Sequence, residues 1–325
     1  MTGERRARFG VFLLTALAML AFAGNSLVCR QALRPHAIDA LSFTLLRVAS
    51  GAALLGMLTW FRRGAVATRP GTPGGRQSKA MSKPWKPHGS WLGRLQSFCI
   101  RGRATLQAGS WRSAVALAIY AIAFALAYVA LDASTGTLVL FASVQVTMIG
   151  WGLAHGERPP ARVWLGLLLA TAGLLVLLLP GVRAPATNGI ALMAIAGISW
   201  GVYSLRGRGI ADPVGATAAN FLRAVPLCLA ASAVALLVGT PHLQSDGVLL
   251  ACASGAISSG LGYVVWYAAV RQLTATRAAM AQLTVPVLAG LGGVLLLDEN
   301  LSPRLLLAGM LVLGGIALAV LPPRP

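Results

Sequence analysis

Acidic residues are almost absent from this chain of 325 residues: Glu4, Asp39, Asp132, Glu157, Asp212, Asp246, Asp298 and Glu299 are the whole set. Charged residues of both signs make up 11%, where a soluble chain carries roughly 25%. That is too little charge to cover a water-facing surface, so a soluble fold is excluded. The four cysteines, Cys29, Cys99, Cys228 and Cys252, include no C-x-x-C pair. They indicate neither a disulfide framework nor a zinc site. His36, His88, His155 and His242 form no H-E-x-x-H, and no phosphate-binding G-x-x-x-x-G-K-[ST] is present. A metal hydrolase and an ATP-driven pump therefore lack their signatures. No ten-residue alternation of the kind that marks a membrane barrel is present either.

What is present is apolar: 57% hydrophobic residues and 37 glycines. Ten runs are long enough to cross a hydrocarbon core of about 30 Å as helices. They are 9–29, 41–61, 113–131, 134–154, 162–180, 188–205, 214–238, 247–270, 276–297 and 304–321. The expected fold is an all-α integral membrane protein with ten transmembrane helices. The first run follows a basic stretch, Arg5, Arg6 and Arg8, and holds an Ala21-Phe22-Ala23 triplet that resembles a cleavage site. Its apolar stretch continues past that triplet to Val28, and it is read as a retained helix.

The net charge of +19 could suggest a nucleic-acid partner, but the basic residues lie between the apolar runs, where they set topology. With a cytoplasmic N-terminus, 21 Lys and Arg fall on the cytoplasmic side and 4 on the other. Omitting loop 62–112, the ratio is still 10 to 4. Both termini are expected inside, in an inner or plasma membrane.

Arg30 and Leu46-Arg47 recur as Arg206 and Leu222-Arg223, offset by 176. Gly150, Glu157, Gly173 and Leu179-Pro180 recur as Gly292, Glu299, Gly315 and Leu321-Pro322, offset by 142. The difference falls at loop 62–112, a basic insertion. The domains are thus two five-helix repeats, 9–180 and 188–322. Five is odd, so the copies are inverted, an architecture of secondary transporters.

Further stretches are Gly197-Ile-Ser-Trp-Gly201, Asn220-Phe-Leu-Arg223, Gly262-Tyr-Val-Val-Trp-Tyr267 and the run Pro286…Asp298-Glu299…Gly309. In the first half Ala130-Leu-Asp-Ala-Ser134 and Gly156-Glu-Arg158 before Leu165-Gly166 correspond to them. By their order, spacing and duplication the chain resembles EamA-type members of the drug/metabolite transporter superfamily, over nearly everything except 62–112. The resemblance implies a ten-helix carrier of small metabolites, often an exporter of amino acids or related compounds. One departure is Val144, which stands opposite Pro286 where the family often has a proline in the fourth helix.

Candidate substrate-contacting residues are the polar and amphipathic groups inside the runs: Asn25, Tyr128, Gln145, Trp200, Tyr203, Tyr263, Trp266 and Gln282. Tyr120, Phe124 and Tyr128 share one helical face, as do Tyr263, Trp266 and Tyr267. Aromatic walls with a few amides suit an amphipathic solute. For Tyr128, Trp266 and Tyr267 an interfacial belt is the competing reading. For Asn25, Gln145, Trp200, Tyr203 and Gln282 it is interhelical hydrogen bonding. Arg47 and Arg223, with Asn220 one turn before the latter, read either as anion-binding groups or as structural ones. No cofactor and no metal are expected. The fifth helix of each unit is nearly all aliphatic and suits lipid or a second copy of the chain, a homodimer. Loop 62–112 could lie on anionic headgroups of membrane lipids. A membrane-embedded enzyme or sensor of small hydrophobic metabolites is the alternative to the transporter.

The topology is checked with reporter fusions at Arg76 and Pro325. Both should report cytoplasm; an external report from either would overturn the charge argument and the inversion together.

Overall fold

Apolar segments of this length can satisfy their backbone N–H and C=O groups without water only by forming helices. The computed structural model describes residues 3–33, 37–67, 107–131, 133–178, 187–237, 241–296 and 303–320. Most of the basic loop, 68–106, lies outside the described residues, as do Asp132, Asp298 and Glu299. The helices are α1 (Gly3–Leu33), α2 (Ala40–Ala67), α3 (Trp111–Ala130), α4 (Ala133–Ala154), α5 (Ala161–Leu178), α6 (Thr187–Arg206) and α7 (Pro213–Leu236). They continue with α8 (Ser245–Val270), α9 (Ala275–Gln282), α10 (Thr284–Leu296) and α11 (Pro303–Val320). Among the described residues no strand forms; an isolated bridge pairs Ile38 with Leu243. Each of the ten apolar runs falls on helix, the ninth divided between α9 and α10. Among the described residues, six helices are long and apolar enough to cross a membrane: Phe9–Leu33, Ala40–Arg62, Trp111–Ala130, Thr187–Arg206, Pro213–Val234 and Ser245–Val270.

Two local features follow from particular residues. Pro286 has no N–H to offer the carbonyl one turn earlier, and the helix breaks at Leu283, between α9 and α10. Val144, its counterpart at the 142-residue offset, leaves α4 unbroken. The middle of α8, Ser254–Leu261, is wound as a π-helix of small residues. Such wide turns often mark functional sites because they rotate the following side chains.

Packing runs mostly between the first five helices and the later ones. The helices α3 and α4 lie on α6, α2 on α7 and on the π-helical middle of α8, and α1 on α8 and α10. Close approach needs small residues, since no hydrophobic drive holds helices together in lipid. A Cβ at Gly255 would collide with the Arg47 carbonyl and Ser50 Oγ, so α2 and α8 meet backbone to backbone. Ser50 Oγ donates to the Cys252 carbonyl at 3.1 Å across the same contact. The aliphatic α5 and α11 cross where Gly166 meets Gly315. They pack against each other and leave Leu165, Leu168, Leu306 and Met310 exposed on the outside.

Replacing Gly255 by Leu should force α2 and α8 apart and destabilise the protein by at least about 1–3 kcal/mol, the usual cost of overpacking. Gly150, which has open space around its would-be Cβ, is the control and should tolerate Leu. Thermal unfolding of the purified variants reads the difference; equal effects at both positions would contradict the packing account.

Candidate functional site

A narrow cleft opens in the middle of the bundle, lined by Phe22, Asn25 and Ser26 of α1, Tyr120 and Phe124 of α3, and Leu140 and Phe141 of α4. Trp200 of α6, Tyr263 of α8 and Val285 of α10 complete it. Both halves of the chain therefore contribute to its walls. Its cavity volume is about 30 Å³, room for roughly one water. The conformation is too tight for a metabolite, whose site would need several hundred Å³.

The walls are an aromatic cluster. Trp200 stands 4.9 Å from Tyr120, 4.7 Å from Tyr263 and 5.1 Å from Phe22, ring centroid to centroid. Its Nε1 donates to Gln282 Oε1 at 2.6 Å, which fixes the indole of α6 to α9 within the second half. Gln282 in turn donates to the Ala278 carbonyl at 3.3 Å and lies 3.2 Å from Met148 Sδ. Asn25 Oδ1 accepts from Ser254 Oγ at 2.6 Å, the first residue of the π-helical segment.

Of the residues singled out in the sequence, Asn25, Trp200 and Tyr263 line the cleft. Gln282, Gln145 and Tyr203 are buried behind it. Gln145 Nε2 donates to the Ala279 carbonyl at 2.8 Å, while Gln145 Oε1 and Tyr203 Oη are buried without a hydrogen-bond partner among the described residues. Trp266 and Tyr267 are fully buried, not interfacial; Trp266 Nε1 donates to Ser204 Oγ at 3.0 Å and Tyr267 Oη to the Tyr203 carbonyl at 3.0 Å. Tyr128 packs edge-on against Phe124 at 4.7 Å, at the cleft's margin. Phe22 and Phe141 were not singled out: a phenylalanine inside an apolar run carries no signal of its own.

Arg47 and Arg223, 176 positions apart in the sequence, have unlike surroundings. Arg47 is 2% exposed and bonded to hydroxyls of α3 and α8 beside the cleft. Arg223 lies over Trp111, 5.6 Å from the ring centroid, with its Nη1 unpaired among the described residues. Asn220, its neighbour, accepts from Ser110 N at 3.1 Å.

At one end of the bundle, polar contacts tie the halves together. Glu157, just past α4, accepts from Ala275 N at 2.7 Å, Thr276 N at 3.1 Å and Thr276 Oγ1 at 2.9 Å, and so caps the first turn of α9. Arg208 Nη2 lies 3.4 Å from its Oε1. Arg206 donates to Ser113 Oγ at 2.9 Å and Ser110 Oγ at 3.1 Å. Arg62 and Asp212 form an exposed pair at 3.4 Å, of small energetic weight. At the opposite end, Asp39 N donates to the His242 carbonyl at 3.1 Å and Gln244 N to the Ala37 carbonyl at 2.8 Å. Partial burial pushes the Glu157 carboxyl up, but the backbone and Thr276 hydrogen bonds, with Arg208, outweigh it and hold the group below the usual carboxylate range.

The family model described as EamA-like transporter family matches residues 187–321. An uncharacterised protein of Pseudomonas aeruginosa is 50% identical over 312 residues, 95% of this chain and 94% of that one. An uncharacterised transporter of Bacillus subtilis is 26% identical over 189 residues, 56% of this chain and 64% of its own. A solved crystal structure shares the fold with a TM-score of 0.67 at 19% identity, covering 95% of this chain and 97% of that one.

Glu157→Gln should cost roughly 1 kcal/mol at pH 7, the usual worth of a helix N-terminal cap. Because the folded carboxyl titrates below its unfolded value of about 4.3, the stabilisation is complete above that value and is lost as pH falls through the folded one. The gap in melting temperature between wild type and Glu157→Gln should therefore close as pH drops from about 5 to 3. A gap that stayed constant over that range would contradict the capping role.

Proposed function

The chain belongs to the EamA-like transporter family and is a multi-pass membrane transporter, and on that premise we propose that it carries small amphipathic metabolites by alternating access at the boundary between its two halves. The observation that carries the reading is the central cleft, to which α1, α3 and α4 of the first half and α6, α8 and α10 of the second all contribute. The resemblance makes export of amino acids or related compounds the expected direction and class.

The proposed architecture is ten transmembrane helices in two inverted repeats, 9–180 and 188–322. The packing supports it. If the halves are related by a two-fold axis, a contact of α3 with α6 requires one of α1 with α8, and α2 on α8 requires α3 on α7; each of these pairs touches. The counterparts α2 with α7, α4 with α9 and α5 with α11, which should lie on the axis, touch as well. The charge distribution supports a cytoplasmic placement for the end that holds Glu157, Arg206 and Arg271. In that orientation the cytoplasmic end holds the ion pairs formed among the described residues and the side-chain bonds of Glu157 and Arg206, and transport requires these to open while the cleft widens.

Comparing metabolites in medium and cytosol of cells with and without the protein identifies the solute, and flux of that solute into proteoliposomes then tests the site. Trp200→Ala should reduce flux or change selectivity, since the indole forms the cleft wall and holds Gln282. Leu168→Ala, on the outside of α5, should leave flux intact. Equal behaviour of the two variants would contradict the site, and chemical conversion of the solute without movement would contradict the carrier.

A further inference from the structure

An arginine keeps its charge in any protein environment, so a buried one must find compensation. Arg47 Nε donates to Ser259 Oγ at 2.8 Å, and its Nη2 donates to Tyr263 Oη at 2.7 Å and more weakly to Tyr120 Oη at 3.5 Å. The guanidinium carbon stands 5.6 Å from the Tyr120 ring centroid and 5.8 Å from that of Phe124. These partners solvate the group but carry no negative charge. The ion pairs formed among the described residues, Arg62–Asp212 and Arg208–Glu157, both lie at one end of the bundle and leave Arg47 without a counter-ion.

The position of the partners is informative. Tyr120, Phe124 and Tyr263 are themselves cleft walls, so the unneutralised charge sits one side chain behind the cavity. A hydroxyl whose oxygen receives a guanidinium proton has its own O–H to give, and contact with the cation makes that O–H a better donor. The Arg47 cluster therefore places two hydroxyl-bearing rings and a positive field at the cleft wall. No carboxylate lines the cleft, and its remaining walls are aromatic or aliphatic apart from Asn25 and Ser26. Arg223 offers no equivalent, since it lies against Trp111 and away from the cleft lining.

We propose that the cleft selects a solute with one negative group on an apolar, ring-sized body, an aryl or branched carboxylate, with Arg47 supplying the counter-charge through the Tyr120 and Tyr263 hydroxyls. The ammonium of a zwitterion would meet the same positive field and no carboxylate, so the deaminated acid is favoured over the amino acid of the same shape. This rests on the carrier reading and narrows its substrate class.

The test uses the full-length protein in proteoliposomes and four probes with one body: 3-phenylpropanoate, L-phenylalanine, 3-phenylpropanamide and 2-phenylethylamine. Binding is read by thermal stabilisation. The wild type should bind the acid about tenfold or more tightly than the amide, as expected for a charge-assisted contact, with the amino acid weaker than the acid and the amine weakest. Arg47→Gln should bring acid and amide to near-equal affinity while amide binding persists. Tyr263→Phe keeps the ring, removes the donor and should move the preference the same way, so it decides the matter if Arg47→Gln does not fold. Equal binding of acid and amide by the wild type, no binding of the acid, or an acid preference that survives in the folded variants overturns the proposal. Flux of the bound acid, measured in the same vesicles, separates the two readings: charge preference without flux sustains the anion site and counts against the carrier, whereas flux without charge preference does the reverse.

Discussion

A guanidinium inside a bundle of apolar helices constrains everything around it. In hydrocarbon no water can solvate it, and every donor left unpaired is costly. Arg47 is therefore surrounded by hydroxyls, and each hydroxyl fixes an element: Tyr120 fixes the face that α3 presents, and Ser259 and Tyr263 fix the rotation of α8. Ser259 lies within the π-helical segment and Tyr263 just past its end. The same segment delivers Ser254 to Asn25 on α1. One charged side chain thus ties the first half to the second at mid-bundle and brings the aromatic walls of the cleft together.

Small residues make that arrangement reachable. Gly255 lets α8 lie on the backbone of α2 at Arg47 itself, which places Ser259 one turn on within reach of the guanidinium. Away from the site, the Gly166–Gly315 crossing does the same for α5 and α11, where no polar group takes part. The molecule therefore separates two kinds of helix contact. One is dry and aliphatic, between α5 and α11; the other is polar and aromatic, around the cleft. A carrier needs both, a frame that holds and a boundary that can open.

Much of this was legible in the sequence because hydropathy reports directly on what lipid demands. All ten apolar runs fall on helix, and the proline at 286 marks the break before α10 while Val144 leaves α4 continuous. Asn25, Trp200 and Tyr263 announced themselves as polar groups deep in apolar helices. Other parts were hidden for physical reasons. Ser259 reads in sequence as a small packing residue, and only the π-helical register turns it to Arg47. Phe22 and Phe141 line the cleft, yet a ring among aliphatic neighbours looks like any core residue. Glu157 stands 118 and 119 positions from the backbone amides of Ala275 and Thr276 that it caps, separations no local pattern encodes. The sequence pattern sets Arg223 opposite Arg47 at an offset of 176, yet their surroundings differ.

If the cleft is a transport site, it must face each side of the membrane in turn, although the conformation described is narrow. Asn25, on the cleft wall and 3% exposed, is the position where this is most directly measured. The four native cysteines are replaced, a single Asn25→Cys is introduced, and a membrane-impermeant thiol reagent is applied to vesicles of each orientation. Alternating access predicts labelling from both sides, with different rates and each slowed by a bound solute. Labelling from one side alone, or from neither while a permeant reagent reacts freely, would contradict it.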